Sequence, residues 1–281
     1  MVNKWFKRLA KIGFALTLVV GLIHIAHMLT LDRIIEYREV TFWSQRWPAA
    51  LDGYRIGFIS DTHRLPDETL QSIVDELNAR QLDLLLLGGD FSTFASDFQG
   101  HYRETLRFLS QVQAADGIFG VDGNHDDAPR LFAAMKDYGM VPLPNSGLRL
   151  HEGFYLAGVE DMWSRNPCIA TAIANADDND FVLLVTHNPD VSMRQDTTAV
   201  DLIVAGHTHG GQITFFGIWA PYFTIRSNIT AYGQRFVSGP SESRDGVPVF
   251  VSNGATVDFY GLPRVFARPQ IIVFTMNNNY N

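Results

Sequence analysis

The sequence RIGFISDTH occupies residues 55–63, and it divides into an apolar run and a polar ending. The run Arg55–Ser60 is largely apolar and contains β-branched isoleucines, a composition typical of a strand buried on both faces of a sheet. Asp61-Thr62-His63 follows this run directly. Because functional groups of α/β proteins lie on loops just past the carboxyl ends of such strands, the segment predicts a buried strand with a functional site at its end.

Four further segments repeat this pattern along the chain. The predicted strands are Leu82–Leu87, Gly117–Val121, Phe181–Val185 and Leu202–Ala205. The polar clusters that follow them are Gly88-Gly89-Asp90, Gly123-Asn124-His125-Asp126, Thr186-His187 and Gly206-His207-Thr208-His209. Carboxylate, amide and imidazole donors suit Mn²⁺, Fe, Zn²⁺, Ni²⁺ or Co²⁺, and no thiolate is among them. Each cluster alone fits an ordinary turn, but the ordered set predicts a metal site.

These five clusters resemble the calcineurin-like metallophosphoesterases, whose motifs are D-x-H, G-D, G-N-H-D/E, H and G-H-x-H. The resemblance extends loosely to the C-terminus, and it implies a four-layer α/β/β/α sandwich that binds two divalent metal ions. The implied ligands are Asp61, His63 and His209 on one metal, Asn124, His187 and His207 on the other, and Asp90 as a bridge between both.

The resemblance also implies the chemistry. Two cations about 3.5–4 Å apart would activate a bridging hydroxide for in-line attack at phosphorus, without a covalent enzyme intermediate. His125 would face the leaving group as a general acid or hydrogen-bond donor. Asp126 would fix the tautomer of His125 and raise its basicity.

Two other residues receive no role in this chemistry. The lone Cys168 excludes an internal disulfide, and Arg64 is interpreted as a surface residue.

The residues after Asp90 narrow the substrate class. Protein Ser/Thr phosphatases of the superfamily carry Asp-Arg-Gly shortly after the bridging aspartate, whereas this chain has Phe91-Ser92-Thr93. We therefore expect a phosphodiester or pyrophosphate-linked substrate, with a lipid-linked compound such as those of the related UDP-diacylglucosamine hydrolases among the candidates. A phosphomonoesterase and a catalytically inert membrane-bound scaffold of the same fold are the alternatives.

The N-terminus predicts a membrane anchor. Lys4, Lys7, Arg8 and Lys11 precede the run from Ile12 to Leu31, which carries no formal charge. About twenty helical residues span the hydrocarbon core, and no small-x-small cleavage site is clear. The basic flank would stay cytoplasmic, which places the catalytic domain outside the cytoplasm. A helix lying in the membrane interface is the alternative, and the domain would then be cytoplasmic.

Apart from the anchor, the linker and the tail, the sequence predicts one α/β domain. The division is a basic flank and anchor helix at 1–33, a linker at 34–50, the catalytic domain at 51–276 and a flexible tail at 277–281. Leu70, Ile73, Val74 and Leu77 recur at helical spacing, and Glu152-Gly153 predicts a hairpin turn. The net charge of -8 argues against nucleic acid as a standing partner. The predicted partners are a phosphodiester or diphosphate substrate, with a lipid-linked one among the candidates, and membrane lipid.

An aromatic segment follows the last motif. Between Ile213 and Phe236 it contains Phe215, Phe216, Ile218, Trp219, Tyr222, Phe223, Ile225 and Tyr232. Core packing is the preferred interpretation for most of these side chains. Contact with lipid, or with a lipid-bearing substrate, is the alternative for some of them.

Overall fold

The computed structural model describes residues 4–93, 100–163, 166–225, 229–259 and 261–278. Its strands are β1 (Glu36–Trp43), β2 (Tyr54–Ile59), β3 (Leu84–Leu87), β4 (Ile118–Gly120), β5 (Val141–Pro142), β6 (Ser146–His151), β7 (Phe154–Gly158), β8 (Phe181–Thr186), β9 (Leu202–Ala205), β10 (Gly239–Glu242), β11 (Pro248–Val251), β12 (Asp258–Phe259), β13 (Leu262–Pro263) and β14 (Gln270–Asn277). The helices are α1 (Lys4–Leu29), α2 (Asp67–Ala79), α3 (His101–Leu109), α4 (Ala128–Asp137), α5 (Ile169–Ala172), α6 (Val191–Arg194) and α7 (Pro221–Ile225). Short 3₁₀ turns span Leu31–Arg33, Ala49–Leu51, His209–Gly211 and Gly233–Phe236.

Two main sheets are formed by these residues. The first has the order β1-β14-β2-β3-β4-β5 and is parallel except between β14 and β2. The second has the order β10-β11-β9-β8-β7-β6, with antiparallel pairs only at its two edges. Strands β12 and β13 form a separate small hairpin. Because β2 is parallel to β3 and β8 is parallel to β9, the carboxyl ends of each pair lie at the same edge of their sheet.

The two sheets pack face to face with helices outside them. Side chains of both sheets, among them Phe58, Leu86, Phe154 and Leu183, form the central core. A second core lies between the first sheet and helices α2, α3 and α4, and a third lies between the other sheet, α5, α6 and the turn Gly233–Phe236. This arrangement is the four-layer α/β/β/α sandwich that the motifs predicted.

The predicted strands are confirmed to within two residues at their ends. Each predicted run overlaps β2, β3, β4, β8 or β9, because uninterrupted apolar sequence is stable only where both faces of a strand are buried. Leu70, Ile73, Val74 and Leu77 all point into the core from α2. Gly153, with φ +77°, forms the turn of the β6–β7 hairpin.

The segment that we predicted as a linker instead contributes to the fold. Strand β1 lies within residues 34–50 and pairs with β14 along its whole length, and Trp47 is fully buried against Phe154 and Phe181. The sequence contains little indication of this strand, because β1 is a half-buried edge strand in which charged and apolar residues are mixed. At the other end of the chain β14 continues to Asn277, the first residue of the predicted tail, and residues 279–281 lie outside the described part.

Helix α1 projects from the domain with no buried residue among those described. The stretch Lys4–Arg33 is long and apolar enough to cross a membrane, judged by length and composition. Its C-terminal end is attached to the domain through Asp32, whose buried carboxylate accepts hydrogen bonds from the backbone N–H of Phe266 and Ala267 and lies 2.7 Å from His27 Nδ1. This helix could therefore be a membrane anchor held firmly to the catalytic domain.

Candidate metal centre

Two groups of metal-donor side chains lie at the carboxyl ends of the central strands. The first group is Asp61, His63 and His209, and the second is Asp90, His187 and His207. All six side chains are buried, and within each group one donor atom per residue lies within 4.8 Å of the others. Asn124 joins the second group, since its Oδ1 is 3.1 Å from His187 Nε2. The fold thus brings together all seven residues that the motifs predicted as ligands.

The first group presents imidazole nitrogens to one another. His63 Nδ1 donates to the carbonyl oxygen of Ser92 at 2.7 Å, so in the neutral ring Nε2 carries the lone pair. That Nε2 lies 3.3 Å from His209 Nε2, which is itself 3.5 Å from Asp61 Oδ1. His209 Nδ1 has no hydrogen-bond partner among the described residues. Nitrogen and oxygen donors that converge in this way fit a divalent cation between them.

The second group has the same design. His187 Nδ1 donates to the carbonyl oxygen of Gly88 at 2.8 Å, and His207 Nε2 donates to that of Ile229 at 2.8 Å. The other nitrogens, His187 Nε2 and His207 Nδ1, face each other at 3.2 Å. His187 Nε2 also lies 3.2 Å from Asp90 Oδ2. Each ring is oriented by a backbone carbonyl, so its inner nitrogen is available to a metal.

Burial and neighbouring charge set the protonation of these groups. Burial lowers the pKa of His63, His207 and His209, most strongly for His209, which favours neutral imidazoles that can bind a metal. Burial also lowers the pKa of His187, but the adjacent Asp90 carboxylate outweighs it and brings this pKa well above the ordinary value. The pKa of Asp90 is lowered in turn, because His187 and other imidazoles outweigh the opposing effect of burial. Asp90 thus stays ionised and favours positive charge beside it.

Most of the predicted ligands have an unusual backbone conformation. Asp61, His63, Asp90, His207 and His209 have φ between +45° and +75°, the left-handed region that residues with a Cβ seldom adopt. Such conformations cost on the order of 1–3 kcal/mol each and persist where the surrounding structure enforces them. Here the enforcement includes backbone hydrogen bonds, such as those from Asp61 N–H to Gly89 O and from His63 N–H to Asp90 O.

Glycine at 123 lets the third motif, Gly123-Asn124-His125-Asp126, approach Asp90 closely. A Cβ at this position would lie 2.2 Å from Asp90 Oδ1 and 2.5 Å from the Asp90 nitrogen, far inside van der Waals contact. The tight approach also allows the backbone N–H of His125 to donate to Asp90 Oδ1 at 2.8 Å. This glycine is therefore required by close packing around the carboxylate.

Asp126 differs from its predicted role. Its buried carboxylate accepts four backbone N–H groups, from Asp90, Phe91, Ser92 and Gly123, at 2.7–3.0 Å. Both oxygens are occupied by these donors, so Asp126 joins the two loops that carry Asp90 and Asn124 and does not set the tautomer of His125. The prediction was wrong because adjacency in sequence says nothing about where consecutive side chains point in a loop.

Sequence reasoning also missed Arg264. Its side chain is fully buried and donates to five backbone carbonyls, those of Thr256, His209, Ala267, Asn253 and Gly254. Burial lowers its pKa to about 10, so the guanidinium stays charged at neutral pH. Arg264 holds the loop of His209 against the loop at Gly254. No local motif marks it, because its partners are carbonyls that any residue supplies.

A cavity of about 350 Å³ opens above the two groups. Its polar residues include Asp90, Asn124, His125, His207 and His209, and its apolar wall is formed by Trp163, Ile213, Tyr222, Phe223, Phe259 and Leu262. The ring of Phe259 stacks on His209 with centroids 4.5 Å apart, and Trp163 meets His207 edge to face at 5.0 Å. The metal-donor groups thus lie at the floor of a mostly apolar pocket.

The aromatic segment after the last motif does not pack mainly in the core. Phe223 is buried, but Phe215, Ile218, Trp219 and Tyr222 are each exposed by more than 40%. Core packing, our preferred interpretation, is wrong for these four side chains, because the segment runs across the pocket rim toward α1 instead of beneath a sheet. The side chain of Ile225 lies outside the described residues.

Comparison with known proteins agrees with the site. The family model described as "Calcineurin-like phosphoesterase" matches residues 54–211, more than half of the chain. The "Uncharacterized metallophosphoesterase YkuE" of Bacillus subtilis is 28% identical over 87% of this chain and 86% of its own length. The "Phosphodiesterase YaeI" of Escherichia coli is 27% identical over 66% of this chain and 73% of its own length.

A vertebrate relative combines this domain with a membrane segment. The "Transmembrane protein with metallophosphoesterase domain" of Danio rerio is 24% identical over 76% of this chain and 54% of its own length. The donor groups, the sandwich fold and the family match agree, so this chain belongs to the calcineurin-like phosphoesterases and is a metal-dependent phosphoester hydrolase.

Proposed function

We propose that this chain hydrolyses a phosphodiester or diphosphate bond with two divalent metal ions. The arrangement of Asp90 carries the proposal: its carboxylate lies beside His187 and acts electrostatically on His63 as well, so it can serve both donor groups. Asp61, His63 and His209 would hold one ion, Asn124, His187 and His207 the other, and Asp90 would bridge them. When bound, the two ions would lower the pKa of a shared water and stabilise the attacking and leaving oxygens.

His125 is the proposed general acid. Its backbone N–H is anchored on Asp90 Oδ1, and its half-buried ring lines the cavity 5.4 Å, centroid to centroid, from the ring of His63. An imidazole in this position can donate a proton or a hydrogen bond to the leaving oxygen. It does so without being a metal ligand, so its removal should separate catalysis from metal binding.

The residues that line the pocket support a substrate in which phosphorus also carries an apolar group, directed away from the metal-donor residues. A phosphomonoester presents an extra negative charge, which related protein phosphatases meet with an arginine after the bridging aspartate. Here the corresponding residues are Phe91, Ser92 and Thr93, and Arg64 is exposed. The apolar wall of Tyr222, Phe259 and Leu262 fits the second ester group of a diester or the acyl part of a lipid-linked diphosphate.

Hydrolysis of model esters by the full chain in detergent tests the proposal. The probes are bis-p-nitrophenyl phosphate and p-nitrophenyl phosphate, each with EDTA, Mn²⁺, Ni²⁺ or Zn²⁺. We expect metal-dependent turnover of the diester in preference to the monoester. Preference for the monoester would make the protein a phosphomonoesterase. Turnover of neither by folded, metal-loaded protein would favour the inert-scaffold alternative.

A His125→Asn variant tests the acid role. Because the asparagine retains a backbone N–H for Asp90 but cannot transfer a proton, we expect metal content to be unchanged and the rate on the diester to fall on the order of 10²–10⁴-fold. Metal content is measured by plasma mass spectrometry. The matched control is His101→Asn, at the start of α3 and outside the cavity. A fully active His125→Asn enzyme would remove this residue from the mechanism.

The anchor completes the proposal. We place α1 across a membrane with Lys4, Lys7, Arg8 and Lys11 in the cytoplasm and the catalytic domain on the other side, where membrane lipid or a lipid-linked phosphoester is within reach. Protease treatment of bacterial spheroplasts that express the full chain measures the side. Digestion of the domain in intact spheroplasts is expected. Protection until lysis would place it in the cytoplasm.

A further inference from the structure

An uncharged, exposed loop lies beside the mouth of the metal-site cavity. We call residues 213–222 the rim loop. The sequence carries no formal charge from 210 to 225, although most of the residues from 213 to 222 are exposed. Ile218 at its tip is 84% exposed, and Phe215 and Trp219 are exposed by 49% and 45%. A contiguous apolar surface of this kind on a folded protein marks a contact with another apolar phase.

Several N–H groups of the rim loop have hydrogen-bond partners within or beside the loop. The backbone N–H of Phe215 donates to the carbonyl of Trp219 at 2.7 Å, and that of Ile218 donates to the carbonyl of Phe215 at 3.1 Å. The N–H of Gly217 donates to Thr214 Oγ1 at 2.9 Å, and Trp219 Nε1 donates to Thr224 Oγ1 at 2.8 Å. These bonds reduce the cost of moving the turn out of water, because the N–H groups that they occupy keep their partners.

The rim loop contacts the apolar helix at a defined position. The ring of His24 stacks on Phe215 with centroids 5.3 Å apart and meets Phe216 at 4.5 Å. His24 lies seven residues (31 − 24) before Leu31, where the uncharged run ends. At 1.5 Å per helical residue this is about 10 Å inside the end of that run. The loop is therefore attached to a part of α1 that would lie below the membrane surface.

We propose that the rim loop inserts into the same membrane that α1 crosses. The loop contacts α1 within the part of the helix that carries no formal charge, from Ile12 to Leu29, and α1 has no fully buried residue among those described. Aromatic residues such as Phe215 and Trp219 are suited to the interface between head groups and acyl chains. A second protein copy could also cover this surface, but the depth fixed by His24 makes lipid the occupant.

Insertion orients the catalytic pocket. Ile213 and Tyr222, at the two ends of the rim loop, line the cavity, and so does the exposed Leu262 of the β12–β13 hairpin. With the loop in the membrane, the pocket mouth opens along the bilayer surface. The substrate is then an amphiphilic phosphoester that enters from the lipid phase, with its phosphorus reaching the metal-donor groups; this step rests on the proposed function.

Spin-label depth measurement on the full chain tests insertion independently of catalysis. In a Cys168→Ser background, Ile218→Cys carries a nitroxide in phosphatidylcholine–phosphatidylglycerol nanodiscs. The control is Ala199→Cys, exposed at the amino end of β9 and so at the opposite end of the sheet from the metal centre. We expect the label at 218 to relax faster with oxygen than with a water-soluble nickel chelate, and the label at 199 to do the reverse.

Equal access of the nickel chelate to both labels would overturn the proposal. So would dipolar broadening at 218 that disappears on dilution with unlabelled protein, since this would show a second copy on the surface. Neither label accessibility nor dipolar broadening depends on enzymatic activity. The insertion proposal can therefore fail while the phosphoesterase function is confirmed, and it can be confirmed if that function fails.

A kinetic comparison tests the route of entry. The variant Phe215→Ser/Ile218→Ser removes two side chains outside the cavity, and phosphatidyl-p-nitrophenol in nanodiscs is compared with soluble bis-p-nitrophenyl phosphate. We expect kcat/KM on the lipid ester to fall at least roughly tenfold, with the soluble ester unchanged. An equal effect on both esters would show that the loop supports the active-site structure instead. No effect on either would overturn entry from the lipid phase.

Discussion

Individual residues at the metal centre are held in conformations that their own preferences disfavour. Asp61 and Asp90 both have positive φ, and Asp90 is packed so closely that residue 123 must be glycine. The imidazoles face one another in pairs, His63 Nε2 with His209 Nε2 at 3.3 Å and His187 Nε2 with His207 Nδ1 at 3.2 Å. A divalent cation could bind to the nitrogens of either pair.

Asp90→Asn tests the shared carboxylate. The amide keeps the shape of the side chain but removes the negative charge that both donor groups use, so we expect bound divalent metal to fall sharply and activity to fall by at least the order of 10²-fold. Plasma mass spectrometry of protein purified without chelator measures the metal. Asp75→Asn, on the exposed face of α2, is the control and should retain both. Full metal content in the Asp90 variant would exclude bridging.

Arg264→Met tests the buried guanidinium. The change removes the guanidinium from five carbonyls, of which those of His209 and Gly254 keep one backbone N–H donor each. It also leaves a buried space without its charge, and we expect the free energy of unfolding to fall by roughly 3–5 kcal/mol. Urea denaturation of the metal-free protein gives this number. Arg264→Lys keeps the charge with fewer donors and should lose less. An unchanged urea midpoint for the methionine variant would contradict the role.

Elements place the site through their ends. Strands β2, β3, β8 and β9 each stop where a donor-bearing loop begins, and Asp126 joins two of these loops through backbone N–H groups. At the opposite edge of the second sheet, where β8 begins, ion pairs hold neighbouring segments together. There Arg149 on β6 contacts both oxygens of the buried Asp180, which directly precedes β8.

Arg149→Met tests this ion pair, and its effect should depend on pH. The hydrogen bond from Arg149 lowers the pKa of Asp180 in the folded state. A depressed carboxyl pKa stabilises the fold above the ordinary pKa near 4, and this contribution is lost as the pH falls through the folded value. Because Arg149 is 38% exposed and water screens its charge, we expect only a small loss of stability at pH 7.

The measurement is urea denaturation with EDTA at several pH values between 7 and 3. The difference between wild type and Arg149→Met should shrink toward pH 3, where Asp180 begins to protonate in both folded and unfolded chains. Arg103→Met breaks the exposed ion pair with Asp137 and should change the stability little at any pH. A difference that is constant with pH would assign the effect of Arg149 to packing and not to charge.

The whole molecule is a catalytic sandwich attached to an apolar helix. The attachment is made by Asp32, His27 and the backbone of Phe266 and Ala267, reinforced by the stacking of His27 on Phe266 at 3.9 Å. His24 and His27, which have no evident role in the sequence, thus join the helix to the domain. Their rings interrupt the apolar run where it meets protein.

Asp32→Ala tests this attachment. Removing the carboxylate frees two backbone N–H groups, so we expect the amides of Phe266 and Ala267 to exchange with solvent deuterium roughly tenfold faster or more. Mass spectrometry of the full chain in detergent measures the exchange. Asp52→Ala, which removes an exposed acceptor for Asn278 at the far end of β14, should leave these amides unchanged. Unchanged exchange in the Asp32 variant would mean that other contacts hold the helix.

Much of the site could be predicted because chemistry and burial restrict residue type locally. Uninterrupted apolar runs indicated β2, β3, β4, β8 and β9, and the polar clusters after them identified the seven donors that the fold brings together. The helical spacing in α2 indicated its buried face in the same way. These features depend on neighbours in sequence, which is why they are visible there.

Other features depend on contacts between distant segments, and only the tertiary structure decided them. Strand β1 forms by pairing with β14, more than two hundred residues away along the chain. The role of Arg264 depends on hydrogen bonds to backbone carbonyls, which leave no pattern in the side-chain sequence. The direction of the Asp126 carboxylate and the exposure of the rim loop likewise follow from how loops pack. Sequence specifies which groups are present and which strands are buried, whereas long-range packing sets where each group points.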